Sequence, residues 1–294
     1  MPEILKTLEN VKKLFEKEPA FIELDPGNKE IIVVGDLHSD LEATNAIVKI
    51  ISEQKNTIFV FLGDYIDRQI KEGDGVKTIL KVFELKQKCP DRVFLLRGNH
   101  EFAEVNGSSG FREEVFTFYD EKTWNKFNGV FDEMPLALRT TTGVLMLHGG
   151  LPDISSYEEM KNLPKVTQSE ENKFADQIVW NDCLPRKRAI LAVADRGIPN
   201  TLTYGQDFFE EKMKILKSNV LIRGHQADMK GAIFDGRCIT LLTCKIYEKF
   251  PYTHSKYYKL LTPPLNGRPI AVIPPRIINT AKDLKFYDVL KYKN

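Results

Sequence analysis

The sequence predicts an α/β fold built on a mainly parallel sheet with helices packed against it. Three observations carry this. Short apolar runs of strand length alternate with amphipathic stretches of helical length, the β-α-β-α-β rhythm of a parallel sheet. The chain has 294 residues, 42% hydrophobic and 28% charged, enough to bury a sizeable core without staples. No apolar run approaches the roughly 18 residues of a spanning helix.

The elements are read in chain order. Residues 3–17 read as a helix with Ile4, Leu8, Val11 and Phe15 on one face. Ile31–Val34 reads as a strand, Leu41–Ile51 as a helix, Ile58–Leu62 as a strand, Val76–Lys86 as a helix and Val93–Leu96 as a strand. Residues 111–130 read as helical with Phe and Trp inward, and Val144–Leu147 as a strand. Gly/Pro-punctuated loops and helices then run to about residue 218. Val220–Arg223, Ala232–Phe234, Cys238–Thr243, Lys256–Leu261 and Ile270–Ile273 are short strand candidates close in sequence, which predicts a second, more antiparallel sheet. Residues 262–276 hold five prolines, so residues 262–294 are expected to begin as an edge strand or extended arm. The final KDLKFYDVLKYKN is expected to be a short helix. No composition break divides the chain, so residues 1–294 are expected to form one domain, with residues 1–20 as an N-terminal helical segment.

Forty-two Lys and Arg against forty-one Asp and Glu give a net charge of +1. Bulk charge therefore does not hold this chain on nucleic acid or an anionic membrane, and neither is an expected partner. The first twenty residues lack the apolar block of a secretory signal. Cys89, Cys183, Cys238 and Cys244 form no CxxC, and reduced, mostly buried thiols in a cytoplasmic protein are expected.

The informative pattern lies at the carboxyl end of each strand. IIVV is followed by Gly35-Asp36-Leu37-His38, and FVFL by Gly63-Asp64-Tyr65-Ile66-Asp67-Arg68. VFLL is followed by Arg97-Gly98-Asn99-His100-Glu101, VLML by His148-Gly149-Gly150, and VLI by Arg223-Gly224-His225. In open α/β sheets ligands bind beyond the carboxyl ends of strands, so these groups can converge on one crevice. Four of the five histidines of the chain lie in such positions, all but His254. Metal coordination accounts for that better than four separate structural histidines, because imidazole and carboxylate are the usual ligands of divalent ions. Asp36 and His38 are two residues apart and project to one side of an extended backbone. Asp64 has two oxygens and can bridge two ions. Asn99 adds an amide oxygen, and His148 and His225 add nitrogens. Three oxygens and three nitrogens suit two ions such as Mn²⁺, Fe or Zn²⁺ better than Mg²⁺ alone.

The segments GDLHSD, GDYIDRQ, RGNHE, HGGL and RGHQ, in this order, resemble the phosphoprotein phosphatase family of metal-dependent serine/threonine phosphatases, whose pattern is GDxHG, GDxVDRG, GNHE, HGG and a later R[AG]H. The resemblance runs from about residue 30 to residue 247, and the short termini and LFEKEP stretch look like the compact archaeal-type members. It implies a metallophosphoesterase-like β-sandwich of two mixed sheets flanked by helices, with the metal site at the carboxyl ends of strands. It implies two divalent ions, Mn²⁺ foremost, one held by Asp36, His38 and Asp64 and the other by Asp64, Asn99, His148 and His225. It implies His100 as general acid, Asp67 as the group orienting it, and Arg68 and Arg196 as phosphate clamps, Arg196 through Asp195-Arg196-Gly197 with Tyr204-Gly205 downstream. The implied activity is hydrolysis of phosphomonoesters on phosphorylated proteins or peptides by direct attack of metal-activated water, without a phosphoenzyme.

This chain departs from the pattern at three places. Ser39 stands where the family has Gly after the first metal His, and Gln69 where it has Gly after Asp-Arg. The family's SAPNY loop over the cleft aligns with Thr243-Cys244-Lys245-Ile246-Tyr247, of which only the Tyr is kept. Trp180-Asn181-Asp182 looks like the family's WSD. Two rival readings share the scaffold: a dinucleotide polyphosphate hydrolase or phosphodiesterase, and a non-catalytic phosphoprotein-binding protein. Retention of all six ligand positions and of His100 speaks against the latter.

Overall fold

The computed structural model describes residues 3–165, 172–187, 192–193, 198–248 and 267–292. In chain order its helices and strands are α1 (Glu3–Phe15), β1 (Phe21–Leu24), β2 (Ile31–Val34), α2 (Leu41–Glu53), β3 (Ile58–Phe61), α3 (Asp74–Lys88), β4 (Val93–Leu95), α4 (Ala103–Asn106), α5 (Phe111–Phe118), α6 (Glu121–Phe131), β5 (Ala137–Thr140), β6 (Val144–Leu147), α7 (Tyr157–Lys161), α8 (Lys173–Trp180), β7 (Asp182–Cys183), β8 (Ala192–Val193), β9 (Leu202–Tyr204), α9 (Gln206–Ile215), β10 (Val220–Arg223), β11 (Gly231–Ile233), β12 (Cys238–Thr240), β13 (Pro269–Ile273) and β14 (Lys285–Asp288).

The expected α/β sandwich of two mixed sheets is what these elements build. One sheet runs β14-β13-β2-β3-β4, with β2, β3 and β4 parallel and β13 antiparallel to both of its neighbours. The other runs β1-β5-β6-β10-β12-β11, with β6, β10 and β12 parallel. A small sheet, β7-β9-β8, lies apart.

The apolar runs are four deep because each strand is covered on both faces, as parallel strands are. In β2, Ile32 and Val34 join Phe15, Ile47 and Val82 of the helices α1, α2 and α3. Ile31 and Val33 of the same strand join Met146, Ile222 and Ile239 of the facing sheet. The outer face of that second sheet, through Leu145, Leu147 and Leu221, packs on Ile178 of α8 and Phe209 and Met213 of α9. Burying each such side chain fully contributes about 1.5–3 kcal/mol. On α1 the buried face is Ile4, Leu8, Val11 and Phe15, as the spacing predicts, and Phe15 meets Phe83 edge-on with ring centroids 6.1 Å apart. No described helix is long and apolar enough to cross a membrane.

Several expectations need correction. The helix over 111–130 is two helices, α5 and α6, because Asp120 caps the second by accepting from Thr123 N at 2.8 Å. Among its described residues the last third does not form a separate antiparallel sheet. Val220–Arg223 runs parallel between β6 and β12, and Ile270–Ile273 crosses to the other sheet to pair with Ile31–Val34. The Pro-containing segment is therefore no edge strand at this point. Pro269 opens β13, where the missing N–H is tolerated, and the strand is paired on both sides. The expected C-terminal helix is the edge strand β14, which pairs with β13 and half-buries alternate side chains. The strand candidate Lys256–Leu261 lies outside the described residues.

Candidate metal centre

The site is built where strands of both sheets end. Asp36 follows β2, Asp64 follows β3, Asn99 and His100 follow β4, His148 follows β6, and His225 follows β10. All six, with Asp67, are buried. The chain reaches these positions by leaving extended conformation abruptly. Left-handed backbone occurs at His38 (φ 40°), Ser39 (61°), Asp64 (55°), Asp67 (64°), Arg68 (60°) and His225 (69°). Such strain at non-Gly residues persists only where the surroundings over-determine it. Asp36 and His38 thus converge through a turn rather than by strand alternation, with His38 Nε2 4.0 Å from Asp36 Oδ2.

Asp64 stands between two groups. Its Oδ2 is 3.4 Å from His38 Nε2, and its Oδ1 is 3.2 Å from His148 Nε2. Two sets of ligand-type atoms, one from His38, Asp64 and His100 and one from Asp36, Asp64 and His148, each lie within 4.8 Å of one another. Asn99 Oδ1 is 2.8 Å from His148 Nε2 and 3.1 Å from His225 Nδ1. The ring orientations are set from behind. His38 Nδ1 donates to Ile66 O and His148 Nδ1 donates to Leu62 O, both at 3.0 Å, which turns each Nε2 into the cluster. His225 Nε2 faces Asp182 Oδ1 at 3.7 Å.

These donors fit a divalent cation. With its Nδ1–H used on Leu62, His148 turns Nε2 toward the oxygens of both Asn99 and Asp64, and three acceptors meet only around a proton or a metal ion. Charge in the cluster points the same way. Burial, opposed by His148, pushes the Asp36 carboxyl up to about 7, the response of an anion short of positive charge. Burial works against a charged His148, yet Asp64 and Asp36 lift its pKa to about 9. Burial holds His38 well below the usual imidazole value, leaving it neutral, the state in which a ring nitrogen ligates metal. The donor set of carboxylates, imidazoles and an amide oxygen, without thiolate, suits Mn²⁺, Fe or Zn²⁺.

Beside the cluster, His100 Nδ1 donates to Asp67 Oδ2 at 2.6 Å, and Asp67 Oδ1 accepts from Phe111 N at 2.8 Å. Burial disfavours the charged His100 ring, but Asp64 and Asp67 outweigh it and raise its pKa. Arg68 is exposed, and its Nη1 and Nη2 lie 3.0 Å from His38 Nε2 and 3.2 Å from His100 Nε2. Tyr247, half-buried, lines this cleft, with its ring under the Arg68 guanidinium at 5.6 Å and edge-on to His38. Arg196 and His254 lie outside the described residues.

In the sequence Glu101 stands out only as the last residue of the Arg-Gly-Asn-His-Glu segment. Its carboxylate accepts from the backbone N–H groups of Asp64 (2.8 Å), Tyr65 (2.9 Å) and Gly98 (2.9 Å), tying the ends of β3 and β4 together. Asp182 behind His225 was visible only as part of the Trp-Asn-Asp motif. The glycine of Arg-Gly-His has a specific cause: a Cβ on Gly224 would lie 2.0 Å from Asp36 Oδ1. Gly224→Ala is expected to displace that carboxylate, to cost about 1–3 kcal/mol of stability, and to lower metal content. Denaturant titration and elemental analysis of the dialysed variant check both, and unchanged metal content would show that the cradle tolerates a methyl group.

A layered α/β sandwich whose strand ends gather Asp, His and Asn side chains around a cation site has the design of a metal-dependent hydrolase. The chain belongs to the calcineurin-like phosphoesterase family, which matches residues 29–229. It is 29% identical over 236 residues, 79% of its length, to a serine/threonine-protein phosphatase of Caenorhabditis elegans, and spans only 50% of that relative. The chain thus spans about half the length of the curated relative it matches. Among solved structures it superposes on a protein serine/threonine phosphatase from Saccharomyces cerevisiae with a TM-score of 0.80 at 21% identity, covering 99% of this chain and 90% of that one. A cold-active protein-tyrosine phosphatase of a Shewanella species gives a TM-score of 0.50 at 12% identity, covering 93% and 84%. Both likenesses are of fold.

Proposed function

We propose that this chain is a metal-dependent phosphoprotein phosphatase acting on phosphoserine and phosphothreonine in proteins or peptides. The observation that carries the reading is the Asp67–His100 couple set beside a six-ligand cluster shared through Asp64. One ion is assigned to Asp36, His38 and Asp64, and a second to Asp64, Asn99, His148 and His225, with Mn²⁺ the preferred metal. When bound, such ions make a water acidic enough to ionise at neutral pH and neutralise phosphoryl charge.

The residues of the chain do the rest. Arg68, exposed at the rim and pivoting on the two imidazoles, grips phosphate oxygens through its planar fork, with Arg196 as a second clamp. Asp67 holds the His100 ring by Nδ1 and favours its protonated form. His100 Nε2 then delivers a proton to the departing seryl or threonyl oxygen, worth about 10²–10⁴-fold in rate. No side-chain nucleophile takes part. A compartment that keeps thiols reduced, the cytoplasm, belongs to the same reading and is supported by the four free cysteines.

The test is phosphate release from phosphoserine and phosphothreonine peptides by metal-stripped protein, with Mn²⁺, Mg²⁺, Zn²⁺ or nothing added back. Release that depends on metal and is greatest with Mn²⁺ is expected. A dinucleotide polyphosphate or a phosphotyrosine peptide turned over far faster than these peptides would replace this assignment with another phosphoesterase activity.

A further inference from the structure

We propose that Ser39 is a positioning residue of this site: its hydroxyl fixes the peptide plane between Asp67 and Arg68, and with it the Asp67–His100 couple and the Arg68 guanidinium. The inference rests on the phosphatase reading for its consequence in turnover, though not for its geometry.

Ser39 is 1% exposed. Its backbone N–H donates to Tyr65 O at 2.9 Å, and its Oγ donates to Asp67 O at 3.0 Å. That carbonyl belongs to the Asp67–Arg68 peptide, so its direction sets ψ of Asp67 and φ of Arg68. Both residues are left-handed, at 64° and 60°. Turning over the peptide plane between them would take Arg68 out of the left-handed region while leaving φ of Asp67 positive. The Ser39 hydroxyl opposes that movement, and among the described residues it is the donor this buried carbonyl is given.

Asp67 is therefore held by three segments of the chain at once. Ser39 takes its carbonyl, Phe111 N its Oδ1 and His100 Nδ1 its Oδ2. Gln69 flanks the same loop, with its side-chain amide against Gly110 at the start of α5. If the peptide turned over, Arg68 would swing off the imidazoles and Asp67 would lose alignment with His100. A glycine at position 39 could take the same backbone angle without strain, but it would offer no hydroxyl. The serine therefore adds something the backbone alone does not require.

The experiment uses the full chain loaded with diamagnetic Zn²⁺ and compares Ser39→Ala and Ser39→Gly with the parent. Two quantities are read. One is the proton resonance of His100 Nδ1–H in protein labelled at histidine with ¹⁵N, which reports the bond to Asp67 without any turnover. The other is the affinity for inorganic phosphate by calorimetry. In the parent, the short bond gives a far-downfield, slowly exchanging signal. In both variants the signal is expected to move upfield and broaden, and phosphate affinity to fall about tenfold, the equivalent of one weakened charge-assisted contact. Should both readouts stay at parental values in the two variants, even with a lowered melting temperature, Ser39 is merely structural and the proposal is overturned. An effect confined to Ser39→Ala would trace to backbone strain and overturn it equally. A parent protein that binds no phosphate would defeat the phosphatase reading, while the His100 resonance would still decide the role of Ser39.

Discussion

Asp64→Asn is expected to strip the centre of metal. The amide keeps the shape of the carboxylate but presents one oxygen in place of two, and its NH₂ cannot ligate. One of the two faces of Asp64, toward His38 at 3.4 Å or toward His148 at 3.2 Å, is then lost as a ligand. The negative charge that both ions would share disappears as well. Replacing groups that merely support metal ligands costs about 10–100-fold in affinity, so removal of a shared ligand should cost more than about 100-fold, with turnover falling alongside. Elemental analysis after exhaustive dialysis reads the outcome directly, and circular dichroism confirms that the fold persists. Two ions retained per chain would rule Asp64 out as the shared ligand.

His100→Asn is expected to separate chemistry from metal binding. His100 Nδ1 is committed to Asp67 at 2.6 Å, and the ring is not assigned as a ligand although its Nε2 lies 3.9 Å from Asp64 Oδ2. The variant should keep its metal and lose about 10²–10⁴-fold in kcat on phosphoserine peptides, the usual range for a general acid. A leaving group of low pKa needs little help from a proton. The loss on an aryl phosphate such as p-nitrophenyl phosphate should therefore be much smaller than on phosphoserine. Equal losses on both substrates would count against proton donation and leave His100 as a contact to phosphate.

Much of this was legible in the chain because it depends on neighbours in sequence. Ile31–Val34, Ile58–Phe61 and Val144–Leu147 are strands buried on both faces, and such strands announce themselves as unbroken apolar runs. The face of α1 followed from helical spacing alone. The types of ligand, and their place just beyond strands, were readable for the same reason: each is set within four or five residues of a strand end.

The features that were not legible depend on partners distant in sequence. Phe21–Leu24 and Ala137–Thr140 are broken by the charged Glu23 and Arg139 and form no apolar run, and become strands by pairing with each other. Residues 270–273 read as a strand, but the prolines of 262–276 placed it at an edge or in an arm, and residues 285–288 looked helical. Pairing with Ile31–Val34 makes the first an interior strand, and the first then draws the second into the sheet, overriding local preference. The site obeys the same division. That Asp36, His38, Asp64, Asn99, His148 and His225 would be drawn toward one place was readable from their residue types and their recurrence after strands. Which oxygen of Asp64 faces which imidazole, which ring nitrogen is spent on a backbone carbonyl, and why Ser39 stands against Asp67 emerge only when loops from separate strands close on one another. Hydrogen bonds between those loops hold left-handed turns that no single segment would adopt alone.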